Sequence, residues 1–286
     1  MATQGFRFGT VGAPASTPSD REGRSVGAVK YLASIGLSAY ELAWVQSVRV
    51  TEATCAAIRE AARDADVQLS VHAPYFINLN ASDDEWPRSR KRLMDAAHYG
   101  NLAGATDIVF HPGSYFGRPA AEVLQTAIPR LKGCVDELRQ SANPVRLRPE
   151  VMGKAAMLGS LEDLLTMAKA VEGVEPCLDF AHLHARAGDG SMNAYEDWKA
   201  LLLRYRRALG AKSLQRLHCH LSGIEYSSRG ERRHLMLSES DFDLKGLMRA
   251  LAELKCGGRI VCESPVMDED ARLIRDAWRR AQRHLA

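Results

Sequence analysis

No two cysteines in this chain are spaced as Cys-x-x-Cys, and the six present (Cys55, Cys134, Cys177, Cys219, Cys256 and Cys262) show no paired spacing. Three of them, Cys177, Cys219 and Cys262, sit inside apolar strand-like runs, where a thiol behaves as a small hydrophobe. That pattern fits a reducing compartment and counts against a disulfide framework. Long hydrophobic runs are also missing, since no stretch of about 18 apolar residues could span a bilayer. Residues 1–10 lack the apolar core of a signal peptide, so the expected location is the cytoplasm. Charge of one sign is scarce: 38 Lys+Arg against 35 Asp+Glu leave a net charge of +3. A balance so close to neutral permits a nucleic-acid partner without arguing for one. Nor does a Gly-x-Gly-x-x-Gly follow the first strand-like run, which counts against a doubly wound open sheet.

What the chain does contain is alternation. Of its 286 residues 46% are apolar and 26% charged, ordinary for a globular chain able to bury a sizeable core. Residues 6–11 read as a strand, 26–35 as a helix closed by Gly36, and 39–44 as a second strand. A helix over 51–64 follows, with Thr51 as its N-cap. Further strands are expected at 67–72, 107–111, 145–150, from 177, at 214–220 and at 259–263. Helices are expected at about 87–103 and 119–139, from the capping box Ser160/Asp163, at 194–209 and 242–254, and from 268 to the end. Eight strands alternating with eight helices imply a parallel sheet with right-handed crossovers. Eight such units close into a (β/α)8 TIM barrel, here expected as a single domain over residues 1–286.

The active site of such a barrel lies at the C-terminal ends of its strands. The third strand ends in His72, the fourth in His111 and the fifth in Glu150. The sixth ends in Asp179 and His182, the seventh in His220 and the eighth in Glu263. Six consecutive strands thus place a metal-type ligand at one rim. Imidazoles and carboxylates without cysteine suit zinc, manganese or iron, and are too rich in nitrogen for magnesium or calcium. Four histidines and three carboxylates exceed the needs of one tetrahedral ion, so two or three metals are expected, with a carboxylate bridging a pair. His98 falls mid-helix and reads as structural, while His184 lies past the strand end, solvated or supporting. His218 and His220 share a face by two-residue periodicity, and His220 lies nearer the rim.

The stretch 71–79, Val-His-Ala-Pro-Tyr-Phe-Ile-Asn-Leu, resembles a hallmark of the endonuclease IV family, apurinic/apyrimidinic endonucleases with a xylose isomerase-like barrel. Phe110-His111-Pro112-Gly113-Ser114, Leu178-Asp179-Phe180-Ala181-His182, His220-Leu221-Ser222 and Cys262-Glu263-Ser264-Pro265 resemble further motifs of that family, in its order. The resemblance spans about residues 67–266. It implies a zinc cluster that cleaves the phosphodiester 5′ to an abasic site in DNA. His72, His111 and Glu150 would hold one zinc, with Glu150 bridging to a second completed by Asp179, His220 and Glu263. Glu150 and Glu263 are thereby the expected catalytic carboxylates, flanking a hydroxide that attacks phosphorus. A third zinc would be held by His182 and His234. Manganese is an alternative metal.

Two departures qualify the resemblance. The family completes its third site with an Asp-x-His pair, whereas Gly230-Glu231-Arg232-Arg233-His234 puts Arg232 at the Asp position, and an arginine cannot ligate zinc. Three outcomes are open: Glu231 substitutes as ligand, Arg232 replaces the metal as a phosphate clamp, or the cluster holds two ions. The N-terminal loops also depart, since residues 12–16 lack the family's His-x-Ser and Gly-Gly, and Trp44, Gln46 and Arg49 follow a different spacing. Tyr75 matches a residue lining the family's abasic pocket. Basic residues cluster at 88–92 and at Arg229, Arg232 and Arg233, and the second set, in a long loop after the seventh strand, is the expected phosphate contact. The leading expectation is a monomeric zinc-dependent phosphodiesterase acting on abasic or damaged DNA. The alternatives are a divalent-metal sugar isomerase or epimerase on the same barrel, and a DNA-binding protein whose catalysis was lost with Arg232.

Overall fold

The computed structural model describes residues 5–284; residues 1–4 and 285–286 lie outside these, the latter two being the end of the expected last helix. The eight parallel strands of a nearly closed (β/α)8 barrel are present. They are β1 (Phe6–Val11), β2 (Ala39–Ala43), β3 (Gln68–His72), β4 (Asp107–Phe110), β5 (Arg146–Pro149), β6 (Cys177–Asp179), β7 (Leu217–Leu221) and, as the tenth strand in sequence, β10 (Gly258–Cys262). Two further strands, β8 (Gly223–Ser227) and β9 (Gly230–Leu235), form a separate antiparallel hairpin. The helices are α1 (Arg24–Ser34), α2 (Glu52–Asp64), α3 (Trp86–Ala103), α4 (Ala120–Gln140), α5 (Leu161–Ala170), α6 (Phe180–Arg186), α7 (Tyr195–Leu209), α8 (Leu244–Glu253) and α9 (Asp268–Arg283). None is long and apolar enough to cross a membrane.

Two compact units make up the chain: one of Val11–Val151 with Ala156–Cys177, the other of Leu178 onward with Met152–Ala155 and the residues up to Thr10. In the first, β5, β4, β3 and β2 lie side by side in that order. Residues paired in parallel register point to the same face and alternate along each strand. His72 pairs with Val109, and Val109 with Arg148, so Ser70, His72, Asp107, Val109, Arg146 and Arg148 share a face. One step further along, His111 and Glu150 fall on that face at the C-terminal ends. Beneath them the same face carries buried polar groups: Ser70 donates to Glu41 Oε2 at 2.6 Å, and Asp107 Oδ1 accepts from Arg148 Nε at 2.6 Å and Arg146 Nε at 2.9 Å. In the second unit β1, β10, β7 and β6 follow one another, with Val261 opposite His220 and Arg259 opposite His218.

Local signals behave as expected. Thr51 Oγ1 accepts from the Thr54 N–H at the start of α2, and Ser160 and Asp163 close a reciprocal capping box on α5. Two expectations need correction. Leu214, expected in the seventh strand, sits in a 3-10 turn, Ala211–Gln215, that precedes β7. The loop after β7 is the β8–β9 hairpin, and the segment holding His182 is the short helix α6. Their common cause is mutual burial, because Ile224 and Tyr226 of β8 pack on Ala181 and Ala185 of α6. Neither would bury an apolar face alone.

All six cysteines are free and buried. Burial pushes the Cys134 thiol up to about 11 and the Cys256 thiol up to about 12. A water-soluble maleimide at pH 7.5 is therefore expected to label none of them in the folded protein and all six in denaturant. Rapid labelling of the native chain, read by intact mass, would contradict the packing described. The sign for stability follows: unfolded thiols ionise near their ordinary value and folded ones well above it, so this contribution is intact at neutral pH and is lost as pH rises past about 9.

Candidate metal centre

In the first unit, Glu150 is fully buried and its Oε2 lies 3.2 Å from His72 Nε2 and 3.3 Å from His111 Nε2. His72 Nδ1 sits 2.9 Å from the Ala73 carbonyl, which can only accept. Nδ1 therefore donates to that carbonyl, which turns Nε2 towards the carboxylate oxygen. Two imidazole nitrogens around one carboxylate oxygen form an acceptor-rich cluster whose charge a cation would balance. The Tyr75 ring stacks on His111 with centroids 5.0 Å apart and is 45% exposed. Gly113, after His111, is held at φ +121°, and a Cβ there would stand 2.0 Å from Asn78 Oδ1. That close approach locks the His111 loop against the segment after β3.

In the second unit, Asp179, His220 and Glu263 each bring a ligand atom within 4.8 Å of the others', and His220 Nδ1 stands 3.5 Å from Glu263 Oε2. His182, Glu231 and His234 form a further group. His182 Nε2 is 3.5 Å from Glu231 Oε2 and 3.4 Å from His234 Nε2. Asp179 Oδ1 accepts the His182 backbone N–H at 2.7 Å as the N-cap of α6, and its Oδ2 lies 3.3 Å from His182 Nδ1. Glu231, then, turns towards the two histidines.

Arg232 does not. Its Nη1 pairs with Glu225 Oε1 at 2.9 Å, and Arg233 Nε donates to Glu225 Oε2 at 2.6 Å. The Arg233 bond, with both guanidinium charges, holds the Glu225 carboxyl below its ordinary range. Arg229 lies at the exposed hairpin turn, its backbone N–H on Ser227 Oγ. In the other basic cluster Arg88 and Lys91 are tied to Glu85 and Asp95, an ion-paired solvated face. His184 is a buried tie, its Nε2 2.9 Å from Asp241 Oδ1 and its Nδ1 2.9 Å from the Met192 carbonyl. His98 is on an exposed face of α3.

Reasoning from sequence passed over Glu41, fully buried at the centre of β2. A lone carboxylate in an otherwise apolar five-residue strand was the available signal. It also passed over a cleft of about 680 Å3 beside Tyr75, walled by Phe76, Phe116 and Met157 with Arg92 at its edge. Phe76 and Phe116 are 59% and 66% exposed, and with Tyr75 they are three of the four exposed large hydrophobics among the described residues. Phe116 is held out at φ +51°, its loop tied by Asn80 Nδ2 to the Ser114 carbonyl and by Arg118 to Asn80 Oδ1.

Residues 29–286 match the family model described as xylose isomerase-like TIM barrel. The chain belongs to that family. An uncharacterized protein of Methanocaldococcus jannaschii is 34% identical over 268 residues, covering 93% of this chain and 94% of the relative. Endonuclease 4 of Thermus thermophilus is 28% identical over 265 residues, covering 88% of this chain and 89% of its own. Among solved structures of this barrel family, endonuclease IV from Thermus thermophilus superposes with a TM-score of 0.71 at 22% identity, covering 97% of this chain and 99% of that one. A D-tagatose 3-epimerase-like protein gives 0.70 at 16% identity, covering 97% and 100%. The likenesses between structures establish the barrel. They do not choose between its chemistries.

Proposed function

We propose that the protein is a metal-dependent phosphodiesterase that cleaves DNA 5′ to abasic sites, holding two or three zinc ions, or manganese in their place. The observation that supports this best is the gathering of imidazole and carboxylate donors at C-terminal strand ends and in the segments that follow them. His72, His111 and Glu150 are assigned to one cation, Asp179, His220 and Glu263 to a second. Bound there, divalent cations supply Lewis acidity towards a phosphodiester and lower the pKa of water towards neutrality. The chain itself orients the donors: the Ala73 carbonyl accepts from His72 Nδ1, and the Asp179 side chain caps the helix that carries His182. Tyr75 offers an exposed ring beside His111 to an extruded abasic sugar, while Phe76 and Phe116 offer stacking faces to neighbouring bases. The likeness to endonuclease 4 supports the same substrate. It accords with repair of damaged DNA by a cytoplasmic monomer.

Incubating the zinc- or manganese-loaded protein with a duplex containing one tetrahydrofuran abasic analogue tests this reading. Scission on the 5′ side is the expected result; an intact duplex at full metal content overturns it. Epimerisation of a ketose by protein holding one manganese per chain would instead select the sugar-isomerase alternative, for which five imidazoles among the donors are an unsuitable set. Phe116→Ala is expected to weaken abasic-DNA binding by about 1–3 kcal/mol, one base stack, with the melting temperature unchanged. Equal Kd values for the variant and the parent would remove Phe116 from the DNA path.

A further inference from the structure

We propose that the cleft between α8 and α9 binds a free nucleoside phosphate. A cavity of about 800 Å3 lies between these two helices, within the size range of pockets that hold small molecules. Both helices belong to the second unit, α8 before β10 in the chain and α9 after it. None of the donors assigned above lines the cavity, so the inference goes beyond the reaction proposed for them.

Helical spacing sorts the walls into two kinds of side chain. On α8, Lys245 and Arg249 lie one turn apart, and Leu244 and Met248 beside them are also one turn apart. On α9 the same spacing relates Arg280 to His284, at the helix end, and Ala277 to Ala281. Met248 is buried and Leu244, Ala277 and Ala281 are half-buried, whereas the four basic residues are exposed. The cavity therefore has an apolar floor and cationic edges. Two alanines keep the space open where longer side chains would fill it.

The protein does not neutralise these cations itself. No carboxylate lines the cavity, and among the described residues Lys245, Arg249, Arg280 and His284 make no ion pair. The acids one turn along the same helices are engaged elsewhere. Glu253 accepts from Lys199 Nζ at 2.5 Å and from the Tyr195 hydroxyl, and Asp276 accepts from Arg275 Nε at 2.9 Å. Arg249 and Arg280 act on them only through space. At neutral pH three positive charges, on Lys245, Arg249 and Arg280, thus meet at one cavity and await an anion.

Arg249 is also held in place. Its Cζ sits 4.0 Å from the centroid of the Tyr195 ring, in the first turn of α7. Stacking covers one face of the guanidinium and leaves its N–H groups free in the plane, where they pair with phosphate oxygens. A bare phosphate would use these cations and leave the apolar floor wet. A nucleoside phosphate uses both, its ring on Met248 and the alanines and its phosphates between the basic side chains. Convergence on one bounded cavity favours a free nucleotide over a strand, whose backbone needs a groove that continues.

The test is calorimetric titration of the full zinc-loaded chain with ADP, beside adenosine, inorganic pyrophosphate and a short oligothymidylate. One ADP per chain is expected, with adenosine and pyrophosphate each at least about tenfold weaker because each reaches half of the site. Lys245→Ala and Arg249→Ala are each expected to weaken ADP at least about tenfold, the loss of a charge-assisted hydrogen bond. Ala281→Leu keeps every charge and is expected to weaken ADP at least about tenfold by occupying the floor. Arg272→Ala, exposed on the same helix outside the cavity, should stay within about twofold of the parent. Melting curves check that each variant is folded. Absence of saturable ADP binding overturns the proposal. So does ADP binding that Arg249→Ala and Ala281→Leu both leave unchanged, since it lies elsewhere. Oligothymidylate that binds more tightly than ADP, and is weakened by the same variants, overturns the free nucleotide in favour of a strand. None of these readouts passes through cleavage of abasic DNA.

Discussion

Glu150→Gln is expected to lower kcat/KM on an abasic duplex by at least about a thousandfold, or about 4 kcal/mol at 1.36 kcal/mol per factor of ten. The substitution is isosteric, so its effect comes from charge and hydrogen bonding alone. Glu150 Oε2 stands within 3.3 Å of both His72 Nε2 and His111 Nε2. An amide NH2 at that position would donate to the very lone pairs assigned to the cation, capping the donor set while removing its negative charge. The packing of the fold should not suffer, since the amide fills the same fully buried volume as the carboxylate. Steady-state cleavage at saturating zinc, metal content and a melting curve of the metal-free protein together check this. Activity within tenfold of the parent would remove Glu150 from the centre.

Asp107→Ala is expected to cost about 3–5 kcal/mol of folding stability without touching the donor set. Asp107 is 1% exposed and binds Arg146 and Arg148 through short bonds at the start of β4. Arg148 is 2% exposed and also meets Glu175 Oε2 at 3.1 Å and the Pro176 carbonyl at 3.2 Å. Losing Asp107 takes a carboxylate from the buried Arg148, which still touches Glu175 at 17% exposure, while Arg146, 37% exposed, can turn to water. That is the costly kind of change, because a desolvated charge loses its partner. Pairing it with Arg148→Met should recover much of the loss. Urea unfolding of the single and double variants measures both; a single-variant loss below about 1 kcal/mol would show that water reaches this network.

The reach of the sequence differs by element. His72, His111, Asp179 and Glu263 could be placed because a parallel barrel strand is a short apolar run, and the polar residue that ends it marks the C-terminal rim. The Thr51 cap and the Ser160/Asp163 box each depend on four consecutive residues and were equally plain. α6 and the hairpin could not be read this way. α6 is seven residues long, too short to be stable by itself, and β8 presents only Ile224 and Tyr226 as apolar alternation. Each is stable through the other, about 40 residues away in the chain. The turn of Glu231 towards His182 depends on that pairing in turn. The ladder pairs Glu225 with Arg233 and Tyr226 with Glu231, and the β-bulge this leaves at Arg232 exists only relative to a partner strand. Arg232 and Arg233 show the same limit: as a sequence they are a basic cluster awaiting phosphate, and Glu225 across the ladder engages both.

The bulge also changes how this chain should be set against its relatives. Set column by column against the Asp-x-His pair that the resemblance implies, Arg232 stands at the position of its aspartate. Compared rung by rung along the β8–β9 ladder, Arg232 occupies no rung and belongs in a one-residue gap. The bulge turns Glu231 to the face that Ile224 and Tyr226 share, towards His182. A chain with one residue fewer at this point would bring the Glu231 and His234 side chains to one face in a regular ladder.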